Sequence, residues 1–179
     1  MAGAIAAAWR PEAVPLPFDA FVRGVTLHDR GYGELDDDAL FELSDERWEE
    51  IETRGFRART GDDVTDLVVA LHIRRLIGDD DIALAREIDA ALGDVSAEAR
   101  AADRITELCD RIAFVFCFEE PAEGEAGGIA YRFDGERRVT LDPWPLAVPV
   151  LRGVVVGFAA EGYPQRLEPV VSLYELCAS

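Results

Sequence analysis

The stretch "IAFVFCFEEPAEGEAGGIAYRF", residues 112–133, is where the chain changes its period. Before it, apolar residues recur with helical spacing; after Pro121 they alternate as strands do. The run Ile112–Phe118 ends a helical pattern that opens at Ser96, and a helix end that is apolar all round belongs in a core. Beyond the proline, "GIAYRF", a turn at Asp134-Gly135 and "RRVTLD" read as a β-hairpin. "LRGVVVGF" (151–158) and "EPVVSLYELC" (168–177) are two more strand candidates, parted by the turn-forming "EGYPQ". The expectation is a mostly α fold: a helical core over residues 1–120, and a small C-terminal antiparallel β appendage over 121–179 packed on the same domain.

Working back from residue 118, five further helical units are legible. "MAGAIAAAW" looks like the tail of a helix, stopped by Pro11, Pro15 and Pro17. A second helix is expected from Phe18 to about Asp29, with Phe21, Val22 and Val25 on one stripe and Gly31 and Gly33 breaking it. Glu34–Asp38 reads as a solvated acidic loop. Ser44 offers an N-cap to a short helix carrying Trp48 and Ile51 and ending near Gly55. "VTDLVVALHIRRLI" then runs to Gly78, and "DDDIALAREIDAALG", acidic at its start, closes at Gly93.

A chain of 179 residues can bury a sizeable core. Its charge of −18 repels phosphate backbones, which argues against nucleic acid and anionic membranes as partners. The acidity serves equally well for solubility or for a salty cytoplasm. Every basic residue is arginine, so lysine-dependent Schiff-base and pyridoxal chemistry are excluded. No apolar run approaches the roughly 20 residues of a membrane span, and no basic region precedes the N-terminal alanines. Three cysteines without CxxC spacing argue against a disulfide framework and for a reducing cytoplasm. GxSxG, P-loop and GxGxxG motifs do not occur.

The chain holds two histidines, and both fall where a leucine would be expected. His28 continues the Phe21–Val25 stripe, with Asp29 beside it; His72 lies between Val68 and Leu76 on an inward helix face. Asp110 lies where the long helix turns from polar to apolar, and a partly buried carboxylate there needs a partner. Asp103, seven residues earlier on the same face, competes for that role. Two imidazoles and two carboxylates on separate core helices would make a mixed N/O site for Mn, Fe, Zn or Mg. Such an ion acidifies water and clamps a phosphoryl oxygen. The structural alternatives stay open: satisfied core histidines, a helix-end Asp29, and Asp110 paired with Arg111 or Arg74.

"HDRGYG" (28–33), "LVVALHIRRL" (67–76), "LCDRIAFVFCF" (108–118) and "VTLDPWPL" (139–146) occur in the order seen in a bacterial family known only as a domain of unknown function, which the chain resembles. That family is in turn similar to the HD superfamily of metal-dependent phosphohydrolases, with its H…HD…D hallmark. The resemblance implies an HD-like bundle of about five to six helices and a divalent metal. It makes His28 and Asp29 the doublet, Asp110 the final aspartate and His72 an additional histidine. Asp29 is then also the candidate catalytic carboxylate, and Arg30, Arg74 and Arg75 are the candidates for holding a small phosphorylated substrate. The hallmark's first histidine has no match, and the expectation is that the true start lies upstream, with Met1 an internal methionine. Two functions follow: a metal-dependent phosphohydrolase, or a non-catalytic HD-like domain that has lost metal ligation and binds a ligand or protein. A purely structural acidic domain would leave two inward histidines unexplained. Pro143, Trp144 and Pro145 read as a packing wedge or an aromatic lid.

Overall fold

In the computed structural model, residues 1–32, 43–78, 80, 82–119, 121–159, 161–163 and 165–179 are described. The expected break at Gly33 and the loop Glu34–Asp38 lie outside them. The described residues form α1 (Ala2–Ala7), α2 (Phe18–Thr26), α3 (Asp45–Arg57), α4 (Asp63–Ile77), α5 (Ala83–Leu92) and α6 (Ala97–Phe118), followed by β1 (Glu123–Ala126), β2 (Ile129–Phe133), β3 (Arg138–Asp142), β4 (Val150–Phe158) and β5 (Pro169–Ala178).

Local chemistry sets the helix starts. Ser44, Asp62 and Ser96 each accept a bond from the backbone N–H three residues on, at Arg47, Thr65 and Ala99. α2 stops at Thr26, short of the expected Asp29, so His28 and Asp29 lie in the turn beyond it. α5 opens at Ala83 with no acidic residue in its first turn, after the acidic run and not within it. At the end of α6, Val115 and Phe116 are buried, but Phe114 is 45% exposed and Cys117 is exposed. This corrects the expectation of a helix end sunk all round: one face of α6 meets the sheet and the opposite face meets water.

The mostly α reading, with a small antiparallel β appendage, is overturned. The protein is α+β: among the described residues, six α-helices stand beside a five-stranded mixed sheet of order β1-β2-β3-β5-β4. β4 and β5 form a long antiparallel hairpin, yet β5 lies parallel to β3, pairing Arg138–Leu141 with Glu175–Ala178. Alternation reveals that a segment is a strand but carries no information on its neighbour's direction. β1, "EGEA", has almost no β-forming side chains, and it is a strand because Gly127 and Gly128, both at positive φ, fold it back on β2.

The sheet is no appendage to the core either. Ile5 and Trp9, Phe21 and Val25, Leu108 and Ile112 pack with Tyr131, Val139, Leu141 and Leu176 in one apolar cluster. A second cluster joins α3, α4 and α5 through Phe56, Val69, Ile73, Leu84 and Ile88. α4 borders both, since its Val68 belongs to the first. The proline-rich segment is a packing wedge: Leu146 is fully buried and bridges to Trp9, Ala147 N–H donates to the Ala8 carbonyl, and Trp144 Nε1 donates to the Val148 carbonyl.

Candidate metal centre

α2 and α4 lie side by side in register. Thr65 Oγ1 donates to the Ala20 carbonyl, and Gly24 packs so closely on Val68 that a Cβ there would come within 2.6 Å of it. One turn further along each chain segment stand His28 and His72, with ring centroids 4.6 Å apart and planes at 83°. The helical period thus delivers both imidazoles to one place, although His28 has already left its helix.

The turn that carries Asp29 is clamped onto α3. Arg30 Nε donates to the Gly55 carbonyl at 2.7 Å, and Arg54 Nε donates back to the Gly31 carbonyl at 2.5 Å. Gly31 has no positive φ; it is glycine because a Cβ would lie 2.2 Å from the Ile51 carbonyl oxygen. α6 supplies Asp110.

The polar atoms converge. His28 Nε2 is 3.1 Å from Asp29 Oδ2 and 3.3 Å from Asp110 Oδ1, and His72 Nε2 is 3.2 Å from Asp29 Oδ1. His72 Nδ1 lies 3.8 Å from Asp110 Oδ2. One ligand atom each from His28, Asp29 and His72 can be chosen so that all lie within 4.8 Å of one another. Atoms about 2.1 Å from a shared ion would be about 3.0 to 3.4 Å apart at octahedral to tetrahedral angles, so the observed N···O spacings suit a divalent site. His72 is 1% exposed and His28 11%, but Asp29 is 50% exposed at its side chain, which leaves the cluster reachable from solvent.

The electrostatics ask for positive charge. His28 Nδ1 is 2.7 Å from the Val25 carbonyl and must donate to it, so Nε2 of a neutral ring turns a lone pair toward two carboxylates. That arrangement is repulsive unless a proton or a cation stands between them. Burial opposes protonation of His28, but the bonds to Asp110 and Asp29 outweigh it and raise its pKa to about 10. Burial likewise pushes the Asp29 carboxyl up, and the bonds from His28 and His72 overcome it and hold the group far below the ordinary carboxylate range.

The other named residues divide. Asp110 meets both histidines, and Arg111 pairs with Glu107 while Arg74 pairs with Asp89, so neither arginine holds Asp110. Asp103 pairs with Arg75. Arg30 is half-buried and bonded to Gly55 and Asp66, with its Nη2 left unpaired among the described residues; Arg74 also donates to the Gly78 carbonyl at the end of its own helix. Arg75 alone of the three touches the cluster, through His72.

Glu52 escaped the sequence reading. It is 4% exposed, and its Oε1 has no hydrogen-bond partner among the described residues. Burial first, then the charges of Asp29 and Asp110 against the opposing pull of His28, push its pKa up to about 7. Trp48, Glu52 and Phe56 form an i, i+4, i+8 row on α3, and that spacing was the available signal. Amid Glu46, Glu49 and Glu50 it passed for surface charge. No protein-family model, curated protein or solved structure matches the chain.

Proposed function

We propose that the His28–Asp29–His72–Asp110 cluster is a divalent metal centre and that the protein is a metal-dependent phosphohydrolase acting on a small phosphorylated molecule. The observation that carries this is His28 Nε2 facing the Asp29 and Asp110 carboxylates at 3.1 and 3.3 Å, with its Nδ1 committed to a backbone carbonyl. Metal-ligating histidines have this second-layer arrangement. The orphaned Glu52 Oε1 adds a further buried acceptor, whose pKa is raised first by burial and then by the carboxylates of the same cluster. The cluster would hold Mn, Fe, Zn or Mg, which when bound supplies Lewis acidity toward water and a phosphoryl oxygen. The solvent-facing Asp29 is the carboxylate placed to orient a water, with His72 fixing its second oxygen.

A second reading, a metal- or ligand-binding HD-like domain without turnover, is favoured by one observation. Arg30, Arg74 and Arg75 are each bonded to protein acceptors, although Arg30 keeps a buried Nη2 without a partner among the described residues. The free cysteines go with a cytoplasmic setting, and no helix of the described residues is long and apolar enough to cross a membrane.

Metal analysis of the purified chain tests the centre. Stoichiometric divalent metal is expected in the wild type, and at least a tenfold loss of affinity in His28→Ala and Asp110→Ala. Folded protein that takes up no Mn2+ or Zn2+ would overturn the proposal. With metal bound, a panel of phosphomonoesters separates the readings: turnover lost in Asp29→Asn supports the enzyme, and metal without turnover supports the binding domain.

A further inference from the structure

Arg75 reaches the cluster, and its contact decides what His72 can do there. Arg75 Nη2 is 3.1 Å from His72 Nδ1. A guanidinium has donors only, so Nδ1 must accept, and a neutral imidazole that accepts at Nδ1 carries its proton on Nε2. The other side of the ring agrees, because Nε2 lies 3.2 Å from the acceptor Asp29 Oδ1. Arg75 is itself held from behind by Asp103, Nε to Oδ1 at 3.4 Å. A single line of contacts therefore runs Asp103–Arg75–His72–Asp29, from α6 through α4 to the turn after α2.

His28 has the opposite polarity. Its Nδ1 gives a proton to the Val25 carbonyl at 2.7 Å, so the nitrogen it turns toward Asp29 and Asp110 is the one able to bind a cation. The two imidazoles stand perpendicular with centroids 4.6 Å apart. For His72 Nε2 to become a ligand, its proton would have to move to Nδ1, against the guanidinium of Arg75. His72 is 1% exposed, so water cannot screen that clash.

We propose that His72 is a hydrogen-bond donor locked in its Nε2–H tautomer by Arg75, and that it positions Asp29 rather than binding the metal itself. The assignment of metal ligands rests on the metal-centre reading; the tautomer does not. It gives Arg75 a positioning role in place of a phosphate-binding one.

The chain has only two histidines, so a long-range 1H–15N correlation spectrum of the 15N-labelled full chain contains two imidazole patterns. Expected in metal-free protein at pH 8 is a His72 pattern with Nε2 protonated and Nδ1 bare. Addition of diamagnetic Zn2+ is expected to shift His28 Nε2 and leave the His72 Nε2 proton in place. A His72 ring protonated on Nδ1 before metal, or stripped of its Nε2 proton after it, overturns the proposal. If Zn2+ moves neither ring, the metal centre fails, and the metal-free spectrum still decides the tautomer. Arg75→Lys should keep the pattern and Arg75→Met should mix the tautomers; an unmixed pattern in Arg75→Met would show that Arg75 is not the lock.

Discussion

Glu52 is the residue at which sequence and environment disagree most. Helix α3 is studded with acidic groups, yet this one is buried beside two other carboxylates and its pKa is pushed up to about 7. A carboxyl raised from about 4.5 in the unfolded chain stabilises the fold below that value, and the contribution is lost as pH rises through about 7. His28 has the same sign in metal-free protein: raised from 6.5 to about 10, it loses its stabilisation as pH rises toward 10. Denaturant unfolding of metal-free protein should therefore show stability falling from pH 5 into the alkaline range. Glu52→Gln is expected to abolish the fall between pH 4.5 and 7, an effect of about 3 kcal/mol, and to leave the alkaline fall intact. An unchanged acid limb would place the titration elsewhere. Asp29 and Asp110 were legible because each neighbours an apolar pattern that had to tolerate a charge. Arg30 and Arg74 were legible as cations but their partners, Asp66 for one and Asp89 for the other, were not, because a guanidinium's partner is chosen by tertiary approach.

Among the elements, the turn after α2 matters most, because it is held by backbone contact with α3 and not by its own sequence. Gly31 meets the Ile51 carbonyl and the Gly55 backbone, while Arg30 and Arg54 lace the two segments from either side. Gly31→Ala must push α3 away. It should cost about 1–3 kcal/mol in urea unfolding and also weaken metal binding, since Asp29 moves with the turn. Loss of stability with unchanged metal affinity would show that α3 does not hold the site. The N-caps are a simpler case: Ser44→Ala is expected to cost about 1 kcal/mol, with no effect on metal. Helix starts were readable because a hydroxyl or carboxylate three residues before an N–H is a local signal. The end of α2 was not, since the stripe through Phe21 and Val25 continues to His28 whether or not the backbone stays helical.

For the whole molecule, the sheet and helices share the cluster that contains Trp9, Ile112, Leu141 and Leu176. Helical ellipticity and tryptophan fluorescence should therefore report one coincident unfolding transition. Leu141→Ala should lower it by about 2–5 kcal/mol and shift both signals together. A helical signal that outlasts the mutation would mean that residues 1–120 fold alone. The sequence by itself determined the period of nearly every element, the switch from helix to strand after Phe118, and the inward direction of His28 and His72, because these depend on residues three to four or two apart. Only tertiary structure decided that β5 lies parallel to β3, that β1 exists, that Glu52 is buried, and that Asp110 and not Asp103 meets the histidines. Each of those turns on which distant segment arrives alongside, and that is settled by packing the two apolar clusters, not by spacing along the chain.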